Sequence, residues 1–304
     1  MTTKDLFYLT TIAEEKSISK AAAKLFIAQP ALSQCLQKVE RELGVTIFER
    51  TPNGVRTTQE GHYVLDFAAK AQKDYQQMEK RIADVRNSGG GKIRIGLTGT
   101  QATYVLPYFL PQFHQDHPNV EVILVEDNSS MIEEKLVNGE IDIGIIHWPM
   151  LHDNLDYFVL SEDDMVVVPR SCSRFQQYIY YREESNRPYL DMAFFADEPL
   201  VLTPTNQRSR MICDQIFGKA GITPQVKQIS KNLITLDALA QVDYATTIMP
   251  SKQISDALRR RSFYYIDPQY SVPYSFCVAT LKDVYLSVAA RSLLDLLHSL
   301  RGSF

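Results

Sequence analysis

The polar side chains between Gln29 and Arg41 fall at helical spacing. Pro30, Gln34, Gln37 and Arg41, flanked by Ser33 and Lys38, come round on one side of a helix. On the other side Leu32, Leu36, Val39 and Leu43 recur at intervals of four, three and four, with Cys35 at the edge as a small core residue. An apolar helix with such a strip of long hydrogen-bonding and cationic groups can read base edges. Arg50 and Arg56, on either side of Thr51-Pro52-Asn53-Gly54, add guanidinium groups suited to phosphates, which fix register without carrying sequence information. Ser19 and Gln29 complete the expected DNA-contacting set. The competing reading of the same residues is an ordinary helical hairpin whose polar face and arginines meet only water.

A second polar set stands at the ends of strand-like runs. Thr98, Thr100 and Gln101 follow the first, Ser129 and Ser130 (after Asn128) the second, and Thr203 and Thr205 open the stretch to Gln207 after a later one, with Thr247 as a weaker fourth candidate. Hydroxyls and amides that converge there with the unpaired N–H groups of helix N-termini suit a small anion such as a carboxylate or sulfate. Each also has a purely structural explanation, because Ser and Thr commonly cap helices. Catalysis finds no comparable constellation: His62, His114, His117, His147, His152 and His298 show neither metal-ligand spacing nor a Gly-x-Ser-x-Gly turn, and no phosphate-binding or dinucleotide glycine motif occurs. Cys35, Cys172, Cys213 and Cys277 lie far apart, so neither a disulfide framework nor a structural zinc is expected, and no cofactor is. Of the six histidines only His147, in His147-Trp148-Pro149 at a strand end, falls near the expected crevice.

These groups need elements to hold them. Pro30 suits the first turn of the reading helix and Gly44 the position just past its end, while Ser19 is placed to cap a short helix from Lys20 to Phe26. With only Ile27 and Ala28 between them, the two form a helix-turn-helix, whose second helix enters the major groove. Asn53-Gly54 between Ile47–Arg50 and Val55–Thr58 makes a hairpin wing. Upstream, Thr2 or Thr3 caps a first helix whose Leu6, Leu9, Ile12 and Ala13 pack under the pair. Downstream, Thr57 with Glu60 fits a capping box, and Val64, Phe67, Ala68, Ala71, Tyr75, Met78, Ile82 and Val85 repeat at helical spacing. A stripe that long must be buried, on its own chain or on a second subunit. Asn87-Ser88-Gly89-Gly90-Gly91 then reads as a hinge and the domain boundary.

Beyond the hinge, strands and helices alternate: 93–97, 104–114, 120–125, 130–138 and 141–146 in a first lobe, then 166–168, 199–202, 208–220, 234–241 and 246–249 in a second, with 276–280 and 285–300 returning to the first. This is α/β with parallel strands. Pro107 and Pro111 blur the outline of the 104–114 helix.

The 304 residues allow two or three domains, and no run approaches the roughly 18 to 20 apolar residues of a membrane span. The N-terminus lacks the apolar core of a signal peptide, so the cytoplasm is the expected compartment. A net charge of −4 is unexpected in a nucleic-acid binder until it is divided: residues 1–58 hold eight Lys and Arg against six Asp and Glu, a balance of +2 that leaves −6 for the rest.

The ordered run Ser17-Ile18-Ser19-Lys20-Ala21-Ala22, Leu25, Ala28 to Ser33, Val39-Glu40, Leu43-Gly44, Ile47 to Arg50 and Thr58 to Gly61 resembles the winged helix-turn-helix of LysR-type transcriptional regulators. It departs at Ile18, where the family prefers Phe, and at Cys35. The resemblance implies an α/β chain in three parts: a winged helix-turn-helix domain at 1–58, a dimerising linker helix at 59–88 and a two-lobed, periplasmic-binding-protein-like effector domain at 89–304. Lobe I spans about 92–163 and 268–304, and lobe II about 164–267. It further implies a dimer or a tetramer of two dimers, duplex DNA carrying an interrupted inverted repeat, and a small polar or anionic effector between the lobes, and it leaves RNA polymerase open as a further partner. Thr98 to Gln101, with Ala102, Tyr104, Leu106 and Pro107, resembles the anion-binding stretch of the cysteine-biosynthesis regulators within this family. Where relatives carry a Gly-x-Gly-like run, this chain has Asp243-Tyr244-Ala245-Thr246-Thr247, and Ser173 to Ala196, rich in Tyr, is longer than typical. Some family members sense oxidants through second-lobe cysteines, which makes Cys172 or Cys213 the alternative trigger.

Overall fold

The computed structural model describes residues 1–86, 90–259 and 263–303, apart from the side chains of Thr100, Ala257 and Leu258. The chain divides into two compact units, Met1–Arg86 and Asn87–Phe304. Part of the expected hinge, residues 87–89, lies outside the described residues.

The first unit holds α1 (Thr3–Glu15), α2 (Ile18–Lys24), α3 (Gln29–Leu43), the hairpin β1 (Phe48–Thr51) and β2 (Gly54–Thr57), and α4 (Gln59–Arg86). Thr2 caps α1 in a reciprocal box with Asp5, each side chain accepting from the other's backbone N–H. Two expected caps move by a residue or two. Ser17, not Ser19, caps α2 through the Lys20 N–H, and Thr58, not Thr57, receives the Gly61 N–H at 2.8 Å in the first turn of α4. Leu9, Ile12, Ala21, Ala22, Leu32, Leu36, Val39 and Ile47 form the core. Leu43 leaves the expected stripe: it is 40% exposed, because the helix ends there and Gly44 turns left-handed at φ 69°. Cys35 is half-buried, and its thiol donates to Asp5 Oδ1 at 3.2 Å. Burial and that carboxylate push its pKa up to about 11. Gly54 is required where it stands, since a Cβ would come within 2.1 Å of the Lys16 carbonyl oxygen.

α4 packs on α1, with Gln72 donating to the Thr10 hydroxyl at 3.1 Å, and so belongs to this unit. Only Gly61 and Ala68 of its 28 residues are buried. Phe67, Tyr75, Met78, Ile82 and Val85 of the apolar stripe stay exposed in the single chain.

In the second unit β3 (Gly91–Leu97), α5 (Gly99–Asp116), β4 (Val120–Glu126), α6 (Ser129–Val137), β5 (Ile143–His147) and β6 (Leu155–Asp163) begin the first lobe. The second lobe takes β7 (Met165–Val168), β8 (Ile179–Arg182), β9 (Ser185–Leu190), β10 (Pro199–Leu202), α7 (Arg208–Ala220), β11 (Gln225–Ile229), α8 (Leu233–Gln241), β12 (Thr246–Pro250), α9 (Asp256–Arg259) and β13 (Tyr264–Ile266). The chain then returns through β14 (Tyr274–Leu281) and α10 (Val288–Ser299). The first sheet has the order β4-β3-β5-β14-β6 and the second β11-β10-β12-β7-β13-β9-β8. Both are mixed rather than wholly parallel. β4, β3 and β5 run parallel, but the crossing strands β14 and β6 are antiparallel, as is β7 against β12 and β13. Asp164 alone links β6 to β7, and residues 267–273 carry the chain back.

α5 is longer than the prolines suggested. An interior Pro costs about 3 kcal/mol, yet Val105, Phe109 and Phe113 on one face of α5 are fully buried, worth roughly 1.5–3 kcal/mol each. Partly buried Tyr104, Leu106 and Leu110 add to that side, so the helix continues through Pro107 and Pro111.

Candidate nucleic-acid interface and effector cavity

α3 presents Gln29, Pro30, Gln34, Gln37, Lys38 and Arg41 to solvent and keeps Ser33 half-buried, while Leu32, Leu36 and Val39 fix the helix from below. Ser19, in the first turn of α2, donates to the Gln29 Oε1 at 3.1 Å and so ties the first helix of the pair to the start of the second. Arg41 Nε donates to the Gln37 carbonyl at 3.2 Å. On the wing Arg50 is exposed, whereas Arg56 faces its cross-strand neighbour Glu49 in a 2.9 Å ion pair. Both partners of that pair are exposed, so releasing Arg56 to a phosphate costs little. The N-terminal turn of α3 has no side-chain cap: Pro30 has no N–H, and the Ala31 and Leu32 N–H groups donate to the Ala28 carbonyl at 3.0 and 3.3 Å.

The second unit holds a cavity of about 310 Å³ between the lobes. The N-terminal turns of four helices meet it: Thr98 and Gly99 at α5, Asn128 and Ser129 at α6, Gln207 to Ser209 at α7, and Asn232 and Leu233 at α8. His147, Gln253, Tyr274, Lys231, Ile234 and Asp127 form the rest of its wall, the Asp127 carboxylate being paired with Lys135 at 2.8 Å. Helix N-termini carry partial positive charge, which four of them direct toward this cavity.

The expected effector residues divide. Thr98 and Ser129 line the cavity. Gln101 is fully buried behind it: its Oε1 accepts from the Thr98 N–H at 3.0 Å, and its Nε2 lies 2.8 Å from His147 Nδ1. Ser130 bridges the lobes, accepting from Arg208 Nη1 at 3.0 Å and reaching the Asn206 carbonyl at 3.4 Å. The side chain of Thr100 lies outside the described residues. Three others stand apart from the cavity. Thr203 is buried against the Ser209 hydroxyl at 2.8 Å, Thr205 is exposed on the turn, and Thr247 donates to the Val201 carbonyl at 3.1 Å inside the second lobe. The neighbouring Thr246 is equally engaged, donating to buried Glu198 at 2.5 Å and accepting from the Arg170 N–H at 3.2 Å. The hydroxyls of Thr246 and Thr247, in the stretch that departs from Gly-x-Gly, are therefore used within the second lobe.

Arg208 and Glu133 were not among the expected site residues. Arg208 pairs through Nη2 with Glu133 on α6, and their side chains are 1% and 0% exposed. Glu133 also accepts from the backbone N–H groups of Leu151 and His152, the latter at 2.7 Å. This buried pair joins the lobes. His147 stacks on Tyr274 with ring centroids 4.1 Å apart. Burial and then the Arg208 cation hold its pKa down at about 3, so the ring is neutral.

All four cysteines are free thiols. Cys213 is buried in the second lobe and Cys277 in the first, and burial pushes each thiol up to about 12. Cys172 is exposed. Among the described residues no group of three or more His, Cys, Asp or Glu is placed to hold a metal ion, and no helix is long and apolar enough to cross a membrane.

Residues 3–62 match the family model for the bacterial regulatory helix-turn-helix protein of the lysR family, and residues 86–301 match the LysR substrate binding domain. The chain belongs to the LysR family of transcriptional regulators and is not an enzyme. It is 25% identical over 314 residues to the uncharacterised HTH-type transcriptional regulator YcgK of Bacillus subtilis, covering 100% of this chain and 96% of that protein. It is 27% identical over 289 residues to the HTH-type transcriptional regulator BenM of Acinetobacter baylyi, covering 93% and 91%. The fold is shared with full-length CbnR solved in complex with its target DNA, at a TM-score of 0.60 and 20% identity, covering 99% of this chain and 100% of that one. Regulators of this family bind DNA and small-molecule effectors and form oligomers.

Proposed function

We propose that this chain switches transcription by binding an interrupted inverted repeat as a dimer or a pair of dimers, with a small polar or anionic effector held in the interlobe cavity. The observation that carries the reading is the division of α3. Its apolar side is buried to the last ångström at Leu32 and Val39, while Gln34, Gln37, Lys38 and Arg41 remain exposed beside an uncapped helix N-terminus. Gln29, Pro30, Ser33 and Gln34 contact bases or adjacent phosphates, and Arg50 and Arg56 contact phosphates only. In the cavity Thr98, Ser129, Gln207 and Ser209 face the effector, supported by Arg208 and Lys231. Action on DNA places the protein in the cytoplasm, where RNA polymerase is a further partner.

The test is a pair of substitutions on a footprinted operator. Gln34→Ala relaxes base preference. Arg50→Ala weakens binding to all sequences alike and lowers the slope of log K against log salt by about 1. Wild-type affinity and preference in both variants would remove these faces from DNA.

A further inference from the structure

Phe26 breaks two local rules at one position, and glycine would satisfy both. It follows Leu25, the residue that closes α2. The Phe26 N–H donates to the Ala23 carbonyl at 3.1 Å, and the Ile27 N–H to the Ala22 carbonyl at 3.0 Å. This pair of bonds ends a helix through a single left-handed residue, a place usually held by Gly or Asn. Phe26 occupies it at φ 54°, where a bulky side chain crowds the backbone. The other described non-glycine residues with positive φ, Lys16, Asp243 and Asp283, are polar. The second rule concerns burial. The Phe26 side chain is 95% exposed, more than any other large apolar side chain among the described residues. Its chain neighbours Leu25 and Ile27 pack against the core of the first unit, which leaves Phe26 directed outward between them. Folding alone favours a different residue here. An aromatic ring held against that preference in an exposed turn serves contact with something outside the chain.

The place of the turn fixes what that is. Phe26 stands two residues before Ala28, the N-cap of α3, and so no more than about 7 Å from it along the chain. Phe26, Ala28, Gln29 and Pro30 are exposed in succession, interrupted only by half-buried Ile27, so the ring continues the face that α3 offers to bases. Ser19 holds the Gln29 side chain from α2 at 3.1 Å, which fixes this turn between the two helices. The major groove displays one apolar group to such a ring, the 5-methyl of thymine.

We infer that Phe26 is a specificity-determining residue whose ring packs on the 5-methyl group of one thymine in each half-site, at the edge of the groove that α3 enters. This rests on the proposed role of α3 as the reading helix and adds a base preference that its polar strip does not supply.

Replacing thymine by uracil removes that methyl group and nothing else. The full-length protein selects its preferred duplex from random DNA, and each thymine of that duplex is then replaced by uracil at symmetry-related positions of the two half-sites. With the parent, one such replacement weakens binding by about fourfold per half-site, the effect of losing one buried methyl group. Phe26→Gly and Phe26→Asn both suit a left-handed residue and lack the ring, so each melts at or above the parent's temperature. Both bind the thymine duplex about as the parent binds the uracil one, and at that position they no longer distinguish the two bases. A lower melting temperature in both variants would mean that the ring serves the fold, and the inference falls. It falls too, with the reading of α3 intact, if no thymine-to-uracil penalty is present in the parent and absent from the variants, whether or not the variants lose affinity overall. If the parent selects no specific duplex, both fall.

Discussion

Gln101 decides the state of His147. Because its Oε1 accepts from the Thr98 N–H, its Nε2 faces the ring, and the neutral imidazole accepts at Nδ1 and carries its proton on Nε2. The folded pKa of about 3 lies below the ordinary 6.5. The folded state therefore binds fewer protons than the unfolded chain between those values, so the stability is fully present above about 6.5 and is lost as pH falls toward about 3. One proton gives a slope of at most about 1.4 kcal/mol per pH unit. His147→Gln should unfold in urea with a shallower dependence on pH from 7 to 4 than the parent, and parallel curves would mean that His147 does not carry this linkage. At this scale the sequence showed polar residues at strand ends, and Thr98 and Ser129 do reach the cavity. It could not show which of them the fold would consume: Gln101 serves a histidine, and Thr203 and Thr247 serve their own lobe. Arg208 escaped because its partner Glu133 is 75 residues away, and no local pattern marks a pair at that distance.

Long periodic elements were legible and weakly patterned ones were not. α3, α4, α7 and β10 follow from spacing and punctuation, because a stripe of eight apolar positions or a Pro–Gly boundary is written locally. β11 carries Gln225, Lys227 and Gln228 on a sheet edge and is exposed at most positions, so it offers no apolar alternation. β6 was missed because it mixes Asp156, Ser161 and Glu162 with its apolar residues and takes its place by pairing along β14. The hairpin β8–β9 accounts for the long Tyr-rich segment, with Tyr180 stacked on Tyr189 at 5.8 Å. α4 yields the prediction at this scale. Met78 and Ile82, 44% and 42% exposed in one chain, sit on a stripe that a partner helix would cover. Met78→Lys with Ile82→Lys leaves the monomer's own core untouched but places two unpaired cations in that interface, where burial without partners is strongly unfavourable. Sedimentation velocity should show a smaller species with an unchanged circular dichroism spectrum. An unchanged oligomer would move the interface off this stripe.

The effector domain is two lobes joined by two chain crossings, by hydrogen bonds such as those of Ser130 and Ser251, and by the buried Glu133–Arg208 ion pair, and a ligand between lobes can shift their balance only by the difference in its affinity for the two arrangements. Glu133 and Arg208 are part of that balance before any ligand arrives. Removing one partner leaves a charge or its hydrogen-bonding groups buried alone, at a cost of about 3–5 kcal/mol, whereas replacing both by apolar side chains of similar volume is often neutral or better. Glu133 carries an extra obligation, since the Leu151 and His152 N–H groups also depend on it, so the double replacement should recover most but not all of the loss. Glu133→Met and Arg208→Met should each lower the urea midpoint strongly, and the double variant should sit well above the sum of the two effects, with a coupling of about 1–3 kcal/mol. Simple additivity would mean that the two side chains do not act as a pair. Operator affinity gives the second readout: if the pair sets the resting lobe arrangement, the stable double variant should bind operator DNA with an altered affinity while its winged helix is unchanged. A double variant matching the parent in both stability and operator affinity would leave the pair without influence on the lobes.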